Sequence, residues 1–287
     1  MTPVAIQTIG ILGAGTMGNG IAHVFARSGF QVILRDVEQR FLDRALETIT
    51  KNLDREIRKG KVADADKPKI LGRLQLVTNP SELARADFVV EAVFERLDLK
   101  LAVLKEVDKL LRPEVILASN TSSISITQLA AVTSRPDRFL GMHFMNPVPV
   151  MVLVEVIRGL QTSDATFQTI MALCEKLEKK PVVVNDSPGF VSNRVLLPMI
   201  NEAAFCVMEG VATSEAVDAV TKMGMNHPMG PLELADLIGL DVCLDILEVL
   251  YTGFGDSKYR PCPLIRKMVA AGWLGRKTGR GFYVYSA

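Results

Sequence analysis

Histidine is scarce in this 287-residue chain, with three copies, and cysteine is nearly as rare, with four. Cys174, Cys206, Cys243 and Cys262 are scattered without the spacing that holds a metal. No metal site is therefore expected, and reduced thiols in a cytoplasmic compartment are. Charge of one sign is also missing. The formal net charge of +1 leaves no global pull toward nucleic acid or an anionic membrane, so neither is an expected partner. No apolar run approaches the roughly 20 residues that span a bilayer. The apolar stretch at 4–14 is broken by glycine and lacks the basic leader of a secretory signal. Internal repeats and low-complexity tracts are absent. What remains is 48% hydrophobic and 23% charged residues, the composition of a soluble globular protein, with length for two domains. Any anionic ligand has to be met by local groups.

The first part of the chain alternates short apolar runs with helical patterns. Strands are expected at 6–12, 31–34, 74–77, 88–91, 115–118 and 138–142, with helices between them, as at 17–28 and 98–111. That rhythm predicts an α/β fold with a Rossmann-type, doubly wound parallel sheet. Residues 38–73 interrupt it. Leu42, Leu46, Ile49, Leu53 and Ile57 recur there at helical spacing, which predicts a helical hairpin insertion projecting from the sheet. The β-branched run at 150–157, bounded by prolines, reads as a buried strand. A helix at about 164–179 and a strand at 182–185 follow, and Asp186-Ser187-Pro188-Gly189 punctuates the chain. Beyond it, apolar helical faces recur at 190–210, 214–223, 231–250 and 261–271. Two domains are expected: a nucleotide-binding domain at 1–186 and a smaller all-helical, substrate-binding domain at 187–287. A helical domain that small buries more apolar surface against a second copy, so a homodimer is expected.

The first expected strand runs into Gly13-Ala14-Gly15-Thr16-Met17-Gly18, which opens a helix. In this G-x-G-x-x-G spacing Gly13 permits a tight turn, Gly15 lets a pyrophosphate approach the backbone, and Gly18 lets helix pack on strand. Amides at the helix start then meet phosphate oxygens. Asp36 closes the next strand and is placed to accept from both ribose hydroxyls, which favours NAD; Arg35 beside it keeps NADP open.

The run at 141–157 holds His143 and a carboxylate, Glu155, in otherwise apolar surroundings. A buried charge is costly unless paired. The Asn146-Pro147-Val148-Pro149 break reverses the chain just after His143, which makes its imidazole the expected partner. A carboxylate that holds a histidine is a proton-transfer device. His23, within the first helix, reads as a packing residue.

Four further motifs complete the pattern. Ala118-Ser119-Asn120-Thr121-Ser122-Ser123 follows a strand at the carboxyl edge of the sheet, where such sheets bind ligands. Its three serines are not distinguishable from the residues alone. Glu91-Ala92-Val93-Phe94-Glu95 ends another strand, with Lys100 a turn further on. In Pro188-Gly189-Phe190-Val191-Ser192-Asn193-Arg194, Asn193 shares a face with Leu196, Leu197 and Ile200. Asn226-His227-Pro228-Met229-Gly230-Pro231 starts a later helix. From the glycine hexad to the terminal Gly-Arg-Lys-Thr-Gly-Arg-Gly-Phe-Tyr, the chain resembles the 3-hydroxyacyl-CoA dehydrogenase family, its short-chain members above all.

The resemblance implies NAD(P)-linked interconversion of a short (3S)-3-hydroxyacyl-CoA, such as 3-hydroxybutyryl-CoA, and the 3-ketoacyl-CoA, such as acetoacetyl-CoA. It makes His143 the catalytic base and Glu155 its orienting carboxylate. Ser122 and Asn193 then meet the substrate oxygen. Glu95, Lys100, Asn146 and Lys277, with Ser122, fall on the nicotinamide side of the cofactor, and Lys59 on coenzyme A. Lys51, Arg55, Arg58, Lys59 and Lys61, interleaved with acids, read equally as a solvated face. Two residues depart from the family pattern: Val152 stands where many relatives have lysine, and Met145 where phenylalanine is common. The 3-hydroxyisobutyrate and 6-phosphogluconate class uses a lysine base in Lys-x-x-Asn-Asn; here Gly189 stands near Asn193 and no such lysine does. A retired, purely structural relative has no need of Ser122, His143, Glu155 and Asn193 together.

Overall fold

A computed structural model of the chain describes residues 6–285. Contacts divide the chain into two compact units, Met1–Asp186 and Ser187–Ala287.

In the first unit eight strands form one sheet: β1 (Thr8–Leu12), β2 (Gln31–Arg35), β3 (Leu74–Val77), β4 (Phe88–Glu91), β5 (Ile116–Ser119), β6 (Phe139–Phe144), β7 (Leu153–Arg158) and β8 (Lys180–Asn185). Their order is β3-β2-β1-β4-β5-β6-β7-β8. Every neighbouring pair is parallel except β6–β7. The inner strands read as continuous apolar runs because helices cover them on both faces. Ile9, Ile11, Val90, Leu117 and Leu140 are fully buried. Helices α1 (Thr16–Arg27), α2 (Gln39–Arg58), α3 (Lys67–Leu71), α4 (Leu97–Asp108), α5 (Ile126–Ala130) and α6 (Asp164–Lys176) make the crossovers.

The interruption at 38–73 differs from a hairpin standing clear of the sheet. Helix α2 is long, but its return arm is only a 3₁₀ turn, Asp64–Asp66, and α3. Leu42, Ala45, Ile49 and Leu53 are buried in the same core as α1 and the sheet, so the amphipathic face is packed from its first turns. His23 of α1 helps fasten it: its Nε2 lies 3.2 Å from Glu56 of α2, whose other oxygen takes a 2.7 Å bond from Arg27.

The strand expected at 150–157 is also corrected. It starts three residues later, at Leu153, and Val150 and Val152 are more than half exposed. The amides of Val150 and Met151 both donate to the Pro147 carbonyl. Buried Lys179 donates to the carbonyls of Val148 and Met151. Those bonds commit the segment to a turn despite its β-branched composition.

The second unit is helical: α7 (Ser192–Met208), α8 (Ser214–Gly224), α9 (Pro231–Ile238), α10 (Leu240–Phe254) and α11 (Pro263–Ala270). One helix was expected at 231–250; two form, because Gly239 takes φ +105, outside any helix. Leu197, Ile200, Leu232, Leu240, Leu247 and Leu250 centre the unit's own core. The tail is latched by buried acids. Asp236 accepts from the amides of Phe282 and Tyr283 and from the Tyr285 hydroxyl, and Asp218 from the Tyr283 hydroxyl at 2.7 Å. A Cβ on Gly281 would lie 1.9 Å from the Asp236 carboxylate, which explains a glycine there. No helix among the described residues is long and apolar enough to cross a membrane.

Candidate active site

The glycine turn joins β1 to α1. Gly13 takes φ +96, and a Cβ on it would lie 2.6 Å from the Ala92 carbonyl. A Cβ on Gly18 would lie 1.8 Å from the Gly13 oxygen. Around Gly15, by contrast, a Cβ would meet nothing within 4 Å. Gly15 and Thr16 are exposed at the start of α1, where no side chain caps the first amides. Open space over uncapped helix amides is a cradle for an anionic group. Met17 is half-buried beside it. Asp36, at the end of β2, accepts from the Ala14 amide at 2.6 Å and the Val37 amide at 2.7 Å, tying the acid to the turn. Arg35 donates to the Thr78 carbonyl at 3.3 Å.

Next along the sheet edge, a charged network joins the ends of β4 and β5. Lys100 of α4 is buried, 2.7 Å from Glu91 and 3.2 Å from Glu95. Glu91, fully buried, also accepts from the Ser119 hydroxyl at 2.6 Å and the Val93 amide. Glu95 accepts from the Thr121 hydroxyl and from the amides of Ser122 and Ser123. Burial pushes the Glu95 carboxyl upward, but the Lys100 ammonium and the Thr121 and Ser122 bonds outweigh it, and the carboxyl sits below its ordinary range. The three serines are thereby told apart. Ser119 is buried against Glu91 and Ser123 is buried beside Glu95, while Ser122 is partly open, its hydroxyl 3.3 Å from Glu95.

His143 and Glu155 are direct partners in the antiparallel β6–β7 register. His143 Nδ1 lies 2.8 Å from Glu155 Oε2, and both residues are buried. Asn120 links this pair to the serine loop, because its side-chain oxygen accepts from the Phe144 amide at 2.9 Å. Asn146 lies exposed in the turn just after β6. Ser122, Glu95, Lys100, His143, Glu155, Asp36 and the glycine turn thus all belong to the first unit.

Lys59 is the exposed cap residue of α2. In the second unit Asn193 is buried in the first turn of α7, its backbone N–H donating to the Gly189 carbonyl. Lys277 is held by both oxygens of Asp241, at 2.5 and 2.6 Å.

Comparison with known proteins now bears on this geometry. Residues 8–187 match the family model described as 3-hydroxyacyl-CoA dehydrogenase, NAD binding domain, and residues 189–285 match its C-terminal domain. The chain belongs to the 3-hydroxyacyl-CoA dehydrogenase family. It is an oxidoreductase, and its cofactor is NAD. A probable 3-hydroxybutyryl-CoA dehydrogenase of Bacillus subtilis is 57% identical over 98% of both chains. A 3-hydroxybutyryl-CoA dehydrogenase of Bradyrhizobium diazoefficiens is 54% identical over 98% of this chain and 96% of its own. The crystal structure of (S)-3-hydroxybutyryl-CoA dehydrogenase from Ralstonia eutropha superposes with a TM-score of 0.96 at 56% identity, covering 99% of this chain and all of that one.

Glu91, Asn120 and Thr121 lie within the expected motifs but have partners that their positions do not signal; Ser119, one of three serines left open, is placed by its bond to Glu91. Their partners come from a different strand or loop, and nothing in the spacing pairs Glu91 with Ser119 or Asn120 with Phe144.

Proposed function

We propose that the chain is an NAD-dependent 3-hydroxybutyryl-CoA dehydrogenase, interconverting (3S)-3-hydroxybutyryl-CoA and acetoacetyl-CoA with His143 as the proton-transfer group. The observation that carries this reading is the buried His143–Glu155 contact of 2.8 Å. With Nδ1 donating to Glu155, the ring is fixed in the tautomer whose Nε2 lone pair takes a proton. When bound, NAD supplies the hydride acceptor that alcohol oxidation needs. His143 takes the hydroxyl proton, and Glu155 stabilises the imidazolium that forms, as the acid does in hydrolase triads. Ser122 hydrogen-bonds the substrate oxygen, supported by its openness among the three serines. Asn193 shares that task.

The residues present suit the dinucleotide. The open space at Gly15 would hold its pyrophosphate against the uncapped amides at the start of α1, and Asp36 would take its ribose. Engagement of Arg35 with Thr78 supports the unphosphorylated ribose of NAD. Glu95, Lys100, Asn146 and Lys277 serve the nicotinamide side, and Lys59 the coenzyme A. The chain acts as a homodimer. Oxidation of NADH by acetoacetyl-CoA, followed at 340 nm, tests the reaction; absence of turnover refutes it. Light scattering that finds only monomer refutes the dimer.

A further inference from the structure

Four parts of the first unit line a half-open cavity of about 850 Å³: the end of α1, the α2–α3 turn with α3, the segment 149–152 and the end of α6. No residue assigned above to proton transfer, cofactor or substrate lines it. Among the described residues Arg27, Lys61, Lys69, Arg73, Lys176 and Lys179 face it, against only Asp66 and Glu178. In a chain of net charge +1, that is a strong local concentration of positive charge. Like charges brought together this way repel, and a bound anion relieves the repulsion.

The cations fall into two groups. Arg27 is fixed by Glu56, Arg73 by the Ala26 carbonyl, and Lys179 by the carbonyls of Val148 and Met151. Lys69 pairs with Asp66 at 3.2 Å. Lys61 and Lys176 are exposed, and among the described residues no ion pair engages either. Fixed guanidinium groups with free-swinging ammoniums suit a phosphate, which takes forked bonds from arginine and point charges from lysine. Val62, Ile70, Val150 and Val152 add an apolar wall, and the two last are 65% and 53% exposed. The volume lies in the range of small-molecule sites, roughly 300–1,000 Å³.

The wall segment is also part of the connection between β6 and β7, which carry His143 and Glu155. Burial pushes the Lys179 ammonium down to about 8, with the Arg27 charge adding to it, and this same lysine holds the segment. An occupant therefore bears on the backbone that joins the two halves of the dyad.

We propose that this cavity binds a phosphate monoester of nucleotide size or smaller, placed to act on the 145–152 connection. Two sources share that chemistry: the phosphate-bearing end of an acyl-CoA, and a free phosphorylated metabolite. The first rests on the reaction proposed above; binding itself does not, so the two readings fail separately.

The probe is adenosine 3′,5′-bisphosphate, titrated calorimetrically into the full chain already saturated with NADH. Wild type and Lys105→Glu, a surface change on α4, are expected to bind with Kd below about 1 mM, and Lys61→Glu/Lys176→Glu about tenfold or more weakly. Absent binding, or equal binding by the double variant with its thermal midpoint kept, overturns the site. Kinetics then separate the sources. A KM raised for acetoacetyl-CoA, but not for acetoacetyl-N-acetylcysteamine, assigns the phosphate to the substrate. Unchanged KM values, with kcat shifted by free bisphosphate in wild type and not in the double variant, assign it to a metabolite. Binding that moves neither constant overturns the action on the connection.

Discussion

The proton transfer proposed for His143 depends on one contact across a strand pair. His143→Gln keeps the shape of the site but loses the proton-accepting ring nitrogen, so kcat is expected to fall roughly 10²–10⁴-fold. Unchanged kcat in the 340 nm assay refutes the role. Glu95 is read by acid instead. Its folded-state carboxyl lies below the ordinary 4.5, so the folded chain binds that proton less readily than the unfolded one. The resulting stabilisation is present above pH 4.5 and is lost as pH falls through the folded value. Glu95→Gln is therefore expected to be less stable than wild type near pH 7, with the gap closing on acidification. Urea denaturation across that range checks it, and a gap that widens toward low pH contradicts it. The His143–Glu155 pair was legible from the residues, because an apolar strand makes a lone carboxylate conspicuous. Asn120 was not: an asparagine in a loop signals a turn, and its bond to Phe144 exists only once β5 and β6 lie side by side.

At the scale of elements, the three glycines of the β1–α1 turn have different duties, and substitution separates them. Gly18→Ala places a carbon 1.8 Å from a backbone oxygen that has no flexible end to move. A loss of about 1–3 kcal/mol is expected, as for overpacking elsewhere. Gly15→Ala meets only open space. Its stability should stay within about 0.5 kcal/mol of wild type, while NADH affinity falls. Denaturation with fluorescence titration measures both, and equal destabilisation by the two variants contradicts the assignment. Strand positions were readable within a few residues because β-branched runs and glycine punctuation are local signals. The run at 150–152 misled for a physical reason: Lys179, from beyond α6, donates to the carbonyls of Val148 and Met151. Gly239 split an apparently continuous helix through its backbone angle, which spacing does not reveal.

For the molecule as a whole, each unit has its own apolar core. In the second, the tail is tied down by Asp236. Asp236→Ala leaves three donors without their acceptor and is expected to cost about 3 kcal/mol. Hydrogen exchange should then rise across 187–285 while β1–β8 keep their protection; equal loss in both refutes separate cores. Alternating apolar periods, the glycine hexad and the stranded Glu155 determine the fold class, the nucleotide turn and the buried His143–Glu155 pairing from the sequence alone, because each reflects a local rule of backbone geometry or desolvation. The tertiary structure decided what depends on distant partners. It set which serine stays open, how Glu91, Lys100 and Glu95 share charge, how α2 packs on α1, and where six cations converge on one cavity. A spacing pattern records neighbours along the chain; burial and charge depend on neighbours in space.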